Sequence, residues 1–328
     1  MFLKKYPLRR IALCNAAIGL LLIIIVIALL NAINQAMWNA TESTIRSLTQ
    51  LSGDAVESAI QRDVQSLEAF KESLVGAGAV TPAAAIGLMR RYVATSPFSH
   101  IAVVDEHGKG YFAGGEPLNV NNDEAWHNFG KDAPISRAYF GDGGQRLVTI
   151  KRPLIVDGRY KGDVFGSLAL KTYYQPSAMT FFNGRGSSHM LSARTGEYLL
   201  SAWNSASEKN RADLYTVLAA SPENAPERIA ALRRAMNEGK SGSAVMDVQG
   251  RRTYLYYTPI GTANDWFMLS MIPLDAMHRA ASYVNVLVGI VCVIIPAGLF
   301  VMFFLARRRH TLALEIEARH YRDFLFHI

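Results

Sequence analysis

Two long apolar runs, one near each end of the chain, constrain this sequence more than any other feature. They cover residues 11–33 and residues 284–305, and neither contains a charged residue. Each is about 20 residues long, which is the length that an α-helix needs to cross a bilayer. The sequence therefore predicts a membrane protein with two transmembrane helices and one large segment between them.

Positive charges beside the two runs indicate the orientation of the chain. Lys4, Lys5, Arg9 and Arg10 precede the first run and residues 307–309 are arginines, whereas the far ends of the runs carry only Arg279 and His278. By the positive-inside rule both termini are cytoplasmic and residues 34–282 are extracytoplasmic, at a cell (inner or plasma) membrane. A cleaved signal peptide is the competing interpretation, but the first run is too long for one and no small-residue cleavage site follows before Trp38.

The net charge of +7 reflects this topology. The N-terminal flank contributes +4 and residues 306–328 contribute +2, which leaves about +1 for the large segment. A nearly neutral segment gives no support to nucleic-acid binding. Cys14 and Cys292 lie inside the apolar runs, and no pair of histidines between the runs has the spacing of a metal site. We therefore expect no disulfide, no metal and no cofactor.

A single long helix is predicted directly after the first run. No proline interrupts residues 34–75, and apolar residues recur there at steps of three and four. This stripe consists of Ile45, Leu48, Val56, Ile60, Val64, Leu67 and Leu74, with Leu51 and Phe70 beside it. The helix should end near Gly76 and Gly78, and at about 60 Å it is long enough to accompany two stacked domains. Its stripe either packs on those domains or, in part, forms the seam of a homodimer.

The pattern then changes from helical to β. Thr81 is predicted to cap a short helix that begins at Pro82 and stops before Pro97. Two hairpins follow, and the second has Asp157-Gly158 as its turn. Their strands are residues 101–104, 109–113, 146–156 and 160–170. Between the hairpins, residues 114–144 are predicted to be irregular, and loops over a rigid sheet are where binding sites usually lie.

The second half of the large segment repeats this order. A hairpin is followed by an amphipathic helix and then by three further strands. These elements are residues 190–193 and 197–203, residues 226–238, and residues 243–248, 253–259 and 266–272. Because the same order occurs twice, the sequence indicates two α+β modules.

Short sequence patterns in both modules resemble a known family. Near the second apolar run, RRTYLYYTPI at residues 251–260 is followed by Asp265-Trp266 and by MIP at residues 271–273. The distal half contains ISRAYF at residues 135–140, RPL at residues 152–154, and Lys161-Gly162 before a strand. Together these patterns resemble a bacterial double-Cache (PAS-like) extracytoplasmic sensor domain, as found in membrane diguanylate cyclases, histidine kinases and chemoreceptors.

The resemblance covers about residues 34–305 and implies an α+β fold. A long N-terminal helix would accompany two stacked PAS-like (Cache) modules with antiparallel sheets, flanked by two transmembrane helices. The implied order is a cytoplasmic N-terminus (1–10), transmembrane helix 1 (11–33), a long extracytoplasmic helix (34–80), a membrane-distal Cache module (81–180), a membrane-proximal Cache module (181–280), transmembrane helix 2 (284–305) and a cytoplasmic signalling helix (306–328).

The resemblance also implies a ligand site in the distal module. In members that bind amino acids, the pocket carries an Arg, a Trp two residues later, a following Tyr, a later Tyr and an Asp. Here Trp126 and Tyr139 match, whereas Glu124 stands at the Arg position, His127 at the first Tyr position and Ser167 at or near the Asp position. Losing the cation and the anion together argues against a free amino acid as ligand, because those charges grip its carboxylate and ammonium groups.

Six residues are therefore candidate ligand contacts: Trp126, Tyr139, His127, Arg137, Glu124 and Ser167. A Trp and a Tyr with a few polar groups are the usual lining of a small-molecule pocket. Trp126 is equally compatible with the core of a loop-capped sheet. Glu124 favours an amine or another cation if it faces the cavity, and is otherwise a solvated loop acid.

These features predict a transmembrane signal-transduction sensor. A small molecule of unknown class binds the distal module, and the signal passes through transmembrane helix 2 to a cytoplasmic output domain missing from this chain, with a diguanylate cyclase or histidine kinase as the expected type. The alternative is a stand-alone membrane-anchored protein that binds solute or regulates a partner without enzymatic output. Pro296 should kink the second span, as a hinge or as a packing feature.

No catalytic site is expected in this chain, because the sequence contains no nucleophile elbow, P-loop, paired catalytic carboxylates or metal-ligand cluster. A structural or adhesion protein is disfavoured by the two compact modules. The expected partners are the small-molecule ligand, the lipid bilayer and a second copy of the chain, which pairs through the long helix and the transmembrane helices.

Overall fold

The computed structural model describes residues 6–122, 135–141, 144–173, 180–201, 212–261 and 265–277, with scattered helical residues between 286 and 308. The chain divides into two units. One is Ser43–Ala276, and the other combines Met1–Glu42 with Met277–Ile328. Glu124, Trp126 and His127 lie outside the described residues.

In the terminal unit, the dominant element is the first part of helix α1 (Tyr6–Gly76). Of the parts of the chain that the structure describes, α1 is the one helix long and apolar enough to cross a membrane. Its side chains Leu21, Ile24, Ile25, Ile27 and Leu29 are each at least 50% exposed. An apolar surface of this kind is stable against lipid or another chain and unstable against water.

The second apolar run is helical wherever it is described, Pro296 included. Val286, Ile290 and Phe300 of this run are also largely exposed. The two-pass topology itself stays a prediction.

The larger unit begins with the outer part of α1, and the long helix predicted after the first run is confirmed. Six residues of the predicted stripe are buried: Ile45, Val56, Ile60, Val64, Leu67 and Leu74. Leu48 and Leu51 point outward instead, with 41% and 64% of their surface exposed. The helix stops where Gly78 adopts a left-handed backbone with φ of 66°, a conformation that glycine takes without steric cost.

The first sheet has six strands in the order β3-β2-β1-β6-β5-β4. The strands are β1 (His100–Asp105), β2 (Lys109–Phe112), β3 (Pro117–Asn119), β4 (Tyr139–Phe140), β5 (Arg146–Val156) and β6 (Arg159–Ala169), and α2 (Pro82–Val93) precedes them. Both predicted hairpins are confirmed. Asp157 and Gly158 have φ of 49° and 74°, which is the two-residue turn that matches strand twist. Thr81 caps α2 as predicted, since its side chain accepts a hydrogen bond from the amide of Ala84.

The second sheet has the order β10-β11-β12-β8-β7, and β9 pairs with β8. Its strands are β7 (Thr180–Phe181), β8 (Gly186–Ser192), β9 (Tyr198–Ser201), β10 (Gly242–Val248), β11 (Arg251–Pro259) and β12 (Trp266–Pro273). Two helices, α3 (Leu214–Ala219) and α4 (Pro226–Asn237), cover one face. Leu218 of α3 and Leu232 of α4 share an apolar core there with Leu255 and Leu269. The predicted helix at 226–238 and the three strands after it are confirmed.

Four short elements were not predicted from the sequence: β3, β4, β7 and α3. They have two to six residues, too few for a hydrophobic period to show. Two of them, β3 and β4, lie inside the segment predicted to be irregular. They are strands because β2 and β5 offer them an open edge to pair with.

Both sheets pack on α1. A Cβ added to Gly166 of β6 would lie 2.7 Å from the ring of Phe98 and 3.1 Å from Leu67 of α1. At the second sheet, the hydroxyls of Thr49 in α1 and Ser270 in β12 are 2.7 Å apart. One apolar core contains buried residues of α1 and of both sheets, so the helix connects the two sheets mechanically.

Candidate functional site

The first sheet has one face toward α1 and one face away from it. Residues paired across antiparallel strands point to the same side. Ile101 and Ile150 both pair with Gly166, and these three residues are on the α1 face. His100 and Thr149 both pair with Ser167, which places those three on the opposite face.

Three hydroxyl groups meet on this opposite face. The oxygen atoms of Tyr139 and Thr149 are 2.8 Å apart, and those of Thr149 and Ser167 are 2.7 Å apart. The Tyr139 hydroxyl also donates to Ser167 at 3.3 Å. We call Tyr139, Thr149 and Ser167 the hydroxyl cluster. Thr149 is fully buried and Ser167 is 2% exposed, and each buried hydroxyl is satisfied by the other members.

The backbone before β4 holds this cluster in place. Ser136 is fully buried, and its amide donates to the carbonyl of Thr149 at 2.8 Å. In return, the Thr149 amide donates to the Ser136 hydroxyl at 2.9 Å. Ile135 forms an isolated bridge with Ile150. Ser136 therefore holds both the amide and the carbonyl of Thr149, which fixes the position of this residue.

Charged groups lie farther along the same face. The Tyr160 hydroxyl donates to the Asp163 carboxylate at 2.9 Å. Burial raises the pKa of Asp163 above its usual value, and the hydrogen bond from Tyr160 and the charge of Lys151 partly oppose this rise. Phe165 and Ala102 are buried between these charges and the hydroxyl cluster. Along this face the sheet thus carries hydroxyls, an apolar middle that is buried together with Leu118 of β3, and a charged end.

Comparison with solved structures gives extracellular sensor domains. The ligand-binding domain of the Pseudomonas aeruginosa chemoreceptor PctB, in complex with L-Arg, has a TM-score of 0.54 at 16% identity and covers 72% of this chain and 97% of its own. That of the Pseudomonas fluorescens chemoreceptor CtaA, in complex with L-isoleucine, has a TM-score of 0.54 at 15% identity, with coverages of 76% and 98%. The extracellular domain of the putative histidine kinase mmHK1S-Z3 has a TM-score of 0.57 at 14% identity, with coverages of 74% and 97%.

The chain has the Cache-like fold that these extracellular domains share. No protein-family model matches the sequence, and no curated protein matches it. At this level of identity the likeness extends to the fold alone, and a shared fold does not determine a ligand. The Cache-like fold therefore explains the architecture and leaves the ligand to be argued from the residues of the site.

Two of the six predicted contacts lie together in this Cache-like fold. Tyr139 and Ser167 are both members of the hydroxyl cluster. Arg137 has an exposed side chain, and its carbonyl accepts a hydrogen bond from Ser136. That ligand contacts these residues stays a prediction, and the other three candidates are outside the described part of the chain.

Sequence reasoning missed Thr149 and Ser136. Thr149 is the one hydroxyl residue inside the apolar run Leu147–Ile150 of β5, and this was an available signal, because a buried polar residue in a strand needs a partner. Ser136 gave no signal of its own. Its role follows from the β-type pairing of residues 135–136 with β5, which the sequence pattern does not reveal.

In the Cache-like fold, the first sheet contacts the second sheet at the start of β5. Arg146 of β5 is 6% exposed, and its guanidinium donates to the Glu197 carboxylate, which precedes β9, at 2.7 Å. The same guanidinium lies over the ring of Phe140 in β4, 4.4 Å from the ring centre. An ion pair and a cation–π contact therefore meet at one side chain between the sheets.

Proposed function

We propose that this chain is a transmembrane signal-transduction sensor that binds a small molecule on the hydroxyl face of the first sheet. The observation that carries the proposal is the buried hydroxyl cluster on the side of a Cache-like sheet that α1 does not cover. Buried hydroxyls on a rigid sheet provide fixed hydrogen-bonding positions. Trp126, His127 and Glu124 remain proposed contacts, since they belong to the segment between β3 and β4.

The hydrogen-bond inventory of the cluster indicates what the ligand offers. Each hydroxyl has one proton to donate and two lone pairs, and the three mutual contacts use the three protons in a ring. What remains is acceptor capacity. A ligand group with N–H or O–H donors fits this arrangement. An isolated carboxylate fits it poorly, because a buried charge requires a compensating partner.

We propose a two-pass arrangement for signalling, with both termini cytoplasmic and residues 34–282 extracytoplasmic. The chain enters the first sheet from α1 and leaves the second sheet through β12, which ends shortly before the second apolar run. Homodimerisation is proposed through α1, where Leu48 and Leu51 are exposed, and through the transmembrane helices. The output domain would be a cytoplasmic diguanylate cyclase or histidine kinase.

Signalling then follows from a shift in populations. A ligand that binds one arrangement of the sheets more tightly than another moves the equilibrium toward the first. A hundredfold preference supplies about 2.7 kcal/mol, which is enough to switch a sensor that is poised near balance. The chain itself acts by binding and contributes no catalytic step. A stand-alone solute-binding or partner-regulating protein is the alternative, and it differs in needing no output domain.

The test is a ligand screen with the full chain in lipid nanodiscs. Amines, carboxylates, purines and sugars are added separately, and the thermal unfolding midpoint is recorded. We expect one donor-bearing class to stabilise the protein, by about 2.7 kcal/mol when the ligand is at a hundred times its Kd. Thr149→Val should remove this shift, because valine keeps the shape of threonine and lacks its hydroxyl.

The matched control is Thr95→Val, since Thr95 is exposed and its hydroxyl donates to the nearby carbonyl of Tyr92. This variant should keep the full ligand-induced shift. An equal shift in Thr149→Val and in the wild type would place the ligand elsewhere. The absence of any stabilising class would contradict the sensor proposal itself.

A further inference from the structure

One contact between the two sheets is made by a buried cation with a partly exposed partner. The side chain of Arg146 is 5% exposed and that of Glu197 is 47% exposed. Among the residues that the structure describes, the Nε of Arg146 has no hydrogen-bond partner. The Glu197 carboxylate is the anion that the described part of the chain places on this guanidinium, and it lies in the turn between β8 and β9 of the second sheet.

A buried charge follows its partner. Removing one member of a buried pair leaves an uncompensated charge at low dielectric, which is far more costly than any small displacement that keeps the pair intact. When the first sheet moves at Arg146, the turn that carries Glu197 is therefore pulled with it. Glu197 lies between β8 and β9, and β8 pairs directly with β12.

Strand β4 places this contact next to the proposed ligand site. Tyr139 and Phe140 are its two residues, and adjacent residues of a strand point to opposite faces. Tyr139 belongs to the hydroxyl cluster on the face away from α1. Phe140 carries the Arg146 guanidinium on its ring. A displacement of β4 at the ligand side therefore reaches Arg146 through one peptide unit.

We propose that Phe140, Arg146 and Glu197 form the relay by which a change at Tyr139 moves the second sheet. The relay regulates the site described above and so rests on the proposed function. Ligand contact at Tyr139 shifts β4, the ring of Phe140 shifts the guanidinium, and Glu197 transmits the shift to β8 and β9. This route is separate from the apolar contacts of α1 with both sheets.

A double-mutant cycle tests the relay without any ligand. Tyr139→Phe perturbs the site by removing the hydroxyl, and Glu197→Gln removes the charge of the ion pair. Amide hydrogen exchange is measured by mass spectrometry over residues 186–201, in the full chain in nanodiscs. We expect Tyr139→Phe alone to increase exchange there by about threefold or more, and to have no further effect when Glu197→Gln is present, because coupled residues are non-additive.

The matched control uses a second ion pair of the same length. Glu238 and Lys240 are also 2.7 Å apart, but both are exposed and near each other in sequence. In the Glu238→Gln background, Tyr139→Phe should keep its full effect on residues 186–201. If Glu197→Gln does not fold, Glu197→Asp replaces it, since it keeps the charge and shortens the reach.

Two outcomes would overturn the relay. One is an equal effect of Tyr139→Phe with and without Glu197→Gln, which would make the ion pair a purely structural contact. The other is no effect of Tyr139→Phe on residues 186–201. Either result leaves the ligand screen unaffected, and a negative screen leaves this cycle interpretable, so failure of the relay and failure of the sensor proposal are distinguishable.

Discussion

Replacing Gly166 by alanine tests whether α1 packs on the first sheet as closely as the structure shows. The new Cβ would lie 2.7 Å from two ring atoms of Phe98 and 3.1 Å from the Cδ1 of Leu67. Phe98 is 2% exposed and Leu67 is fully buried, so neither side chain has free space to enter. Gly166 does not adopt a left-handed backbone, and the steric contact alone therefore decides the result.

The expected cost combines two terms. Overpacking by one methyl group in a dense core destabilises by about 1–3 kcal/mol. Against this, alanine restricts the unfolded chain and stabilises by about 0.4–1 kcal/mol where its conformation is allowed. We therefore expect Gly166→Ala to lower the free energy of unfolding by about 1–2 kcal/mol. The measurement is urea unfolding of the full chain in nanodiscs, with the folded fraction detected by pulse proteolysis.

Gly87→Ala is the matched control, because it is the same substitution with the opposite expectation. Gly87 lies in the middle of α2 and has no atom within 4 Å of its added Cβ. Alanine should stabilise there by about 0.5–1 kcal/mol, since glycine is unfavourable in a helix interior. Equal changes in the two variants, or a stabilised Gly166→Ala, would refute the close packing of α1 against β6.

Three further predictions concern α1. Ser270→Ala removes the hydroxyl that joins Thr49 to Ser188, with oxygen–oxygen distances of 2.7 Å on both sides. Because the two buried partners then lose a hydrogen bond, the variant should lower the free energy of unfolding in urea by about 1–3 kcal/mol. Burial raises the pKa of Asp63, so the folded state binds the carboxyl proton of Asp63 more tightly than the unfolded state does. The free energy of unfolding should therefore fall as the pH rises from the ordinary aspartate pKa through the raised pKa of the folded state. Asp63→Asn should flatten that slope in melts at stepped pH. Leu51→Cys should form a disulfide-linked dimer in oxidised membranes, because Leu51 is 64% exposed on the proposed dimer face.

Each of these predictions has its own control. Ser243→Ala, at an exposed serine of β10, should change the free energy of unfolding by less than about 0.5 kcal/mol. An equally small change in Ser270→Ala would contradict the hydroxyl chain. An unchanged pH slope in Asp63→Asn would assign the slope to another group. Leu67→Cys should give no dimer because Leu67 is fully buried, and dimer formation there would point to non-specific cross-linking.

Much of the fold could be predicted from the sequence because its signals are local and repeated. The stripe of α1 recurs over many turns, and the Asp157-Gly158 turn fixes the longer hairpin through residues that tolerate positive φ. The short strands could not be predicted in the same way. β4 has two residues, and it is a strand only because β5 presents an unpaired edge.

Less of the candidate site could be predicted. Family resemblance pointed to Tyr139 and Ser167, which the structure joins by a hydrogen bond. Thr149 and Arg146 were missed as site residues because their roles depend on strand register and on contact between sheets. Arg146 read as an ordinary strand residue, yet its partner Glu197 is 51 positions away, and no local pattern reports such a distance.

The hydroxyl chain at the second sheet limits how α1 and β12 can move against each other. The Thr49 hydroxyl lies 2.6 Å from the carbonyl of Ile45 and 2.7 Å from the hydroxyl of Ser270, and it directs its one proton toward these two acceptors. The hydroxyls of Ser270 and Ser188 are also 2.7 Å apart. A slide of α1 by one residue, about 1.5 Å, would break this hydroxyl chain inside a buried core.

In the proposed sensor, the part of α1 around Thr49 and strand β12 therefore move together. A movement of one against the other would leave hydroxyls of Thr49, Ser270 and Ser188 unpaired, and all three are at most 4% exposed. Unpaired buried hydroxyls cost more than a joint displacement that preserves every bond. In the proposed sensor, the signal should therefore reach the membrane as a common tilt or rotation of α1 and of the chain that follows β12. Ser270→Ala should weaken the coupling between these two segments even where the fold survives.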